Sequence, residues 1–420
     1  MDGEKDKLHT ALGRAFILVS VAALTLVLTA SLLARAGIPF AATYAVSVIV
    51  CILGTLTASR GRHTLLTLPS PAIISWLVYE EIIAHGMAWQ EILGIAAIVS
   101  LLGALFTHMR YTTRLVYALP AIVRIGLVAG LGLTLLITSA LYARILLPSP
   151  WALTMGGTLS DPLTYFTLAG ILLVLVLYAR SVHAALPLGM LLIALLTWAE
   201  GFWEIPAAPF LAPDVISLPF VLILPQTDLC TAASLGLTLL FALLIENTAV
   251  LAVQTDTTKD THLLAGLFTV SSCAALIGAF PLTAAPISAA LPVEKEPRRI
   301  AGIPRTALLS ALLLLALLPC APLLTALADF PAVPAIALAI MGLMLLVRGL
   351  RMLRSTANIS MREGTVIATF ILAAYDIKTG LTLALFLWTL LTAARGERVP
   401  RMTGALTVLF SVFFLLKWIL

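Results

Sequence analysis

The sequence predicts an all-α polytopic membrane protein: about 14 transmembrane helices in two inverted seven-helix repeats, with broken third and tenth helices. Three observations predict it. Of 420 residues, 61% are hydrophobic and 11% charged, whereas soluble domains run at about 45–50% apolar and about 25% charged. The basic residues alternate between the two sides of the apolar runs with a strong bias. The two halves of the chain also share features at a fixed offset.

Apolar runs separated by polar breaks place spans at 15–34, 41–58, 67–84, 91–108, 118–143, 163–179, 183–200, 230–253, 262–280, 282–293, 304–325, 331–350, 363–376 and 379–394, and a further apolar helix, 402–420, closes the chain. Most of these reach the roughly 20 residues that cross a bilayer. Ala34-Arg35-Ala36 could mimic a signal-peptidase site. The apolar stretch before it is long for a leader and many spans follow, which favours a retained first helix. With a cytoplasmic N-terminus, basic residues from Lys5 to Arg401 collect on the inner side, and the outer segments hold Arg35, Arg144 and Lys378. That is the positive-inside pattern, and it gives an expected multi-pass placement in the cell membrane. The outer segments are acidic instead, with Glu80, Glu81, Glu91, Asp161, Glu200, Glu204, Asp214, Asp228 and Asp329. The net charge of +5 therefore follows from topology, and nucleic acid is not expected as a partner.

An offset of 214 residues lays Pro120-Ala121-Ile122 on Pro334-Ala335-Ile336 and Glu80 on Glu294. Seven spans per half is an odd number, so the second half is inverted, and such repeats put their sites near the bilayer midplane at discontinuous helices. The matching segments are TLPSPAIISW, with Pro69 and Pro71, and FPLTAAPISAALP, with Pro281, Pro286 and Pro292. Proline cannot donate to a helix ladder and holds the preceding residue extended. Each segment reads as an extended piece followed by a half-helix; the alternative is a pair of proline-kinked packing helices.

Chemistry concentrates at Glu246, inside the apolar run from Thr231 to Val253. An intramembrane carboxylate is costly and usually faces the protein interior to handle an ion or substrate. Out of water its charged form is disfavoured, which suits a proton carrier. Protonated, it donates one hydrogen bond; ionised, it only accepts. Thr283 and Ser288, with Ala285 between them, offer contacts from the tenth segment; Ser70 and Ser75 do so from the third, with Trp76 as a stacking face. The half-helix starts near Ser70 and Thr283 would add unpaired N–H groups. The competing account is a structural acid bonded to Asn247, Thr248 or a neighbouring helix. Asp256 and Asp260 resemble a DxxxD metal–diphosphate pair, but no second acidic cluster accompanies them, and loop charges around Lys259 explain them better. The histidines lie near span ends, and Cys51, Cys230, Cys273 and Cys320 form no CxxC pair, so neither a metal nor a cofactor is expected.

Several segments resemble the xanthine/uracil permease family of nucleobase:cation symporters, most closely its adenine/guanine/hypoxanthine branch. They are PSPAIISWLVY (Pro69–Tyr79), MAWQEILGIAAIVSLLGALF (Met87–Phe106), ALPAIVRIGLVAGLGLTLLI (Ala118–Ile137), RIAGIPRTALLSALLLLALL (Arg299–Leu318) and GTVIATFILAAYDIKTGLTLALF (Gly364–Phe386). The resemblance implies a core domain (residues 1–110 and 226–328), a gate domain (111–205 and 329–396), a C-terminal hydrophobic helix at 397–420, and a homodimer. It implies proton-coupled uptake of a purine or related nucleobase, with Glu246 contacting the base and carrying the proton. The family's second acid lies in the tenth segment, where this chain reads TAAPISAA (Thr283–Ala290) and has none; Glu294 lies two or more turns further on. That departure keeps two alternatives open: a small anion as cargo, as in the related sulfate permeases, or a non-transporting membrane receptor. No cluster suggests an enzyme.

Overall fold

A computed structural model describes residues 2–59, 64–109, 119–147, 155–182, 184–254, 261–285, 287–288, 299–300, 302–355, 360–372 and 377–419. The chain is a helical bundle in which short extended pieces sit among the helices. Helix α1 runs Asp2–Arg35, longer at its start than the apolar stretch suggests, and α2 runs Phe40–Ala58. Strand β1 (Thr67–Pro69) follows, then α3 (Pro71–Trp76), which continues as a wider π-helical stretch over Leu77–Ala84. Next come α4 (Trp89–His108), α5 (Ala121–Tyr142), a hairpin of β2 (Leu146–Leu147) and β3 (Met155–Gly156), α6 (Pro162–Ala179) and α7 (Ala185–Ala199).

The second half opens with α8 (Leu229–Gln254) and α9 (Thr261–Leu276), followed by β4 (Leu282–Ala284). After a small hairpin of β5 (Arg299–Ile300) and β6 (Ile303–Pro304) come α10 (Arg305–Leu317), α11 (Ala321–Asp329), α12 (Ala332–Ser355), α13 (Met361–Leu372), α14 (Ile377–Ala394) and α15 (Arg401–Ile419). Among the described residues, eight helices are long and apolar enough to cross a membrane and four more are shorter and apolar.

The expected eleventh span, 304–325, is present as one helical stretch long enough to cross a membrane, Arg305–Leu327. It tightens to a short 3-10 turn over Leu318–Cys320 between α10 and α11, because Pro319 cannot supply the N–H that an α-helix would need there. Asp256, Asp260, Pro286, Pro292 and Glu294 lie outside the described residues.

Two groups of helices pack chiefly within themselves. One holds α1, α2, α4, α8, α9 and α10; the other holds α5, α6, α7, α12, α13 and α14. The second group closes on a backbone-to-backbone crossing of α5 and α12. A Cβ at Gly342 would fall 2.8 Å from the Gly132 carbonyl oxygen and 2.9 Å from the Leu136 nitrogen, the close approach that small residues permit between membrane helices. The groups meet where α1 touches α7 and α12, and where α5 touches α3 and α8.

The prolines at 69 and 71 do break the third helix. The extended piece before α3 pairs antiparallel with its counterpart from the other half, in the register Thr67↔Ala284, Leu68↔Thr283, Pro69↔Leu282. All six of these residues are buried. A two-stranded ribbon at this depth has two outer edges without strand neighbours, and buried backbone groups there need partners. Side chains supply them. Thr55 Oγ1 on α2 accepts from Thr67 N at 3.2 Å; Asn247 Oδ1 on α8 accepts from Ala284 N at 2.8 Å; Ser271 Oγ on α9 accepts from Leu282 N at 3.0 Å.

Candidate functional site

Glu246 projects from α8 at this ribbon and is 6% exposed. The Thr283 hydroxyl on β4 is 3.3 Å from Glu246 Oε1 and 3.3 Å from the Leu68 carbonyl oxygen on β1. One hydroxyl proton therefore faces two acceptors, one from each half of the chain. The Ser70 hydroxyl faces the same carboxylate, yet Oε2 is buried without a hydrogen-bond partner. A buried, unsatisfied carboxylate oxygen is costly.

Glu246, Ser70, Thr283 and Ala285 line a cavity of about 20 Å³, which is room for roughly one water. Thr25 of α1 completes one wall, and Leu131, Leu135, Met341 and Leu345 from α5 and α12 close the other. Glu246 is the only ionisable group among these lining residues.

Ser75, Trp76 and Ser288 do not line this small cavity. Ser75 and Trp76 line a larger cavity of about 790 Å³, whose lining does not include Glu246. Ser288 is occupied structurally, its Oγ accepting from Leu66 N at 3.0 Å. Ser70 is the N-cap of α3, accepting from Ile73 N at 3.4 Å, so it fills one of the N–H positions expected to be open there. Thr283 stands within β4 rather than at a helix start. Asn247 was expected only as a partner for Glu246. Its amide oxygen instead bonds the ribbon backbone, and the sequence signal for that role is a second polar residue beside Glu246 in an otherwise apolar helix.

A broken-helix crossing with one buried carboxylate, held between two helix groups of a polytopic bundle, is the architecture of a membrane transporter. No protein-family model matches the chain. It is 24% identical to the guanine/hypoxanthine permease PbuO of Bacillus subtilis over 416 residues, covering 92% of this chain and 91% of PbuO. It is 25% identical over 207 residues to MJ0326 of Methanocaldococcus jannaschii, named a permease, and 23% identical over 225 residues to the adenine permease AdeP of Escherichia coli. Those two matches span about half of each protein, 47% of MJ0326 and 48% of AdeP.

Among solved structures, the transmembrane domain of a cyanobacterial bicarbonate transporter, BicA, superposes with a TM-score of 0.60 at 17% identity, over 90% of this chain and 97% of that one. The overall structure of SLC26A9 gives 0.54 at 14% identity, over 92% and 66%. The fold is thus that of these inverted-repeat transporters. The curated relatives are permeases rather than enzymes, and they agree with the resemblance to the xanthine/uracil permease family.

Proposed function

We propose that the protein is a secondary active transporter that takes up a purine or related nucleobase together with a proton. In this reading it is a homodimer in the cell membrane with a cytoplasmic N-terminus. The observation that carries the proposal is Glu246, buried at the ribbon with Oε2 unsatisfied and Thr283 bridging it to Leu68.

Hydrogen-bond counting links that geometry to coupling. A protonated Glu246 can donate to Thr283, which leaves the hydroxyl proton for Leu68. An ionised Glu246 competes with Leu68 for the single Thr283 proton. Ring N–H and C=O edges of a nucleobase can replace either partner, so substrate and proton affect the same three groups. A cavity of about 20 Å³ cannot hold a base. Loading therefore requires α5 and α12, which carry Leu131, Leu135, Met341 and Leu345, to move away from α1, α3 and the ribbon. In this proposal α1–α4 and α8–α11 form the core domain, and α5–α7 and α12–α14 form the gate. The names of PbuO and AdeP support a purine as cargo.

The test is hypoxanthine uptake into proteoliposomes under an imposed pH gradient. Wild-type protein accumulates the base, and Glu246→Gln loses gradient-driven uptake by about a hundredfold or more, a loss in the range typical of a proton-transfer group. Unchanged uptake by Glu246→Gln overturns the proposal.

A second reading keeps the fold and exchanges the cargo for a small anion. The observation favouring it is that Thr283, Ala284 and Ala285 carry a hydroxyl but no acid at the tenth segment. Uptake of bicarbonate or sulfate that hypoxanthine does not inhibit would select it.

A further inference from the structure

Ser75 and Trp76 are left over from the site at Glu246, and the cavity they line has its own chemistry. It measures about 790 Å³, inside the roughly 300–1,000 Å³ range of small-molecule sites. Ala72 lines both this cavity and the small one, so the two adjoin at the first turn of α3. Trp76 and Tyr79 stand three residues apart and both line the larger cavity. The Tyr79 hydroxyl accepts from the Arg35 guanidinium at 2.8 Å, which fixes the ring. Tyr142 of α5 lines the cavity from the opposite group of helices and sits near both Tyr79 and Arg35. Three aromatic side chains from both helix groups thus surround a chamber with hydroxyls at its wall. Its charges balance, Arg35 and Arg144 against Glu80 and Asp329, which favours neither an anion nor a cation.

We propose that this chamber is a second, outer binding site for a neutral planar heterocycle, held by stacking against Tyr79, Trp76 and Tyr142 before the passage to Glu246 opens. The proposal rests on the nucleobase reading above. A chamber with three aromatic rings and no net charge suits a flat, uncharged ring with polar edges. The adjoining cavity, with room for about one water, has no space for that ring in the same conformation.

The experiment is equilibrium binding of radiolabelled hypoxanthine to purified full-length protein, alongside uptake into proteoliposomes. Glu246→Gln is expected to lose driven uptake and the share of hypoxanthine binding that the inner site carries, leaving a measurable residual binding at the outer site, which does not use the carboxylate. Tyr79→Ala in the Glu246→Gln background is expected to weaken that residual binding about tenfold, in line with the loss of one base–aromatic stack. Tyr79 is 41% exposed, so its removal leaves the core packing in place. Tyr79→Phe in the same background should restore most of the binding. Normal wild-type uptake, with binding abolished by Glu246→Gln alone, overturns the outer site and leaves the transporter reading standing. The outer site is also overturned if residual binding is indifferent to Tyr79→Ala. Absence of both binding and uptake of hypoxanthine by the wild type overturns both.

Discussion

Thr283 and Asn247 divide the labour of seating α8 on the ribbon. Asn247 bonds the Ala284 backbone, and the Thr283 hydroxyl stands between the Glu246 and Leu68 oxygens. Asn247→Leu removes the acceptor that the buried Ala284 N–H uses, which should cost about 1–3 kcal/mol. A lowered unfolding midpoint in detergent, with Asn247→Asp losing less, is the outcome that checks it. Thr283→Val keeps the shape and removes the bridging proton. Driven hypoxanthine uptake should fall about tenfold, and Thr283→Ser should restore it. Glu246 stood out as an acid in an apolar run, and Thr283 as a hydroxyl in the tenth segment, which matches the third in the repeat. Ser75 and Trp76 carried the same kind of signal, yet they face another cavity. A helix rises about 1.5 Å per residue, so Ser75 stands roughly 6 Å beyond Pro71, away from the crossing.

Helix ends marked by proline were readable from the chain. Pro39 precedes α2, Pro120 precedes α5, and Pro162 opens α6 beneath the Asp161 cap. The 3-10 turn at Pro319 could be read the same way, inside a continuous apolar stretch expected as one span. The β1–β4 pairing could not be read at all. Prolines announce where a helix stops, whereas the strand partner is fixed by packing across the molecule. The α5–α12 crossing is the element most sensitive to added volume. Gly342→Val should push the two helices apart and cost about 1–3 kcal/mol or more, because the colliding atoms are backbone and cannot rotate away. Thermal unfolding of Gly342→Val beside Gly349→Ala, whose nearest contact is the Ala129 side chain at 3.0 Å, should show the larger loss at Gly342.

The polytopic helical class and the extended pieces at matching places of the two halves were readable from the apolar runs and the repeat, whereas the expected division into core and gate came from the family resemblance and stays a proposal. The sidedness of the bundle remains a proposal, with a direct check. In a protein lacking its four native cysteines, a cysteine at Leu224, exposed in the segment before α8, should react with a membrane-impermeant thiol reagent on intact cells. A cysteine at Glu397, beyond α14, should react only after permeabilisation. The reverse labelling pattern would invert the assignment. The ribbon has a further consequence, for assembly. Its Leu68–Thr283 contact links residues 215 positions apart, and contacts of such long sequence separation form slowly. During synthesis β1 must therefore wait, with its inner edge uncovered, until β4 has been made and inserted. The pocket around Glu246 is consequently among the last parts of the protein to take shape, and slowed synthesis of the second half would lengthen the interval in which that edge is open to wrong partners.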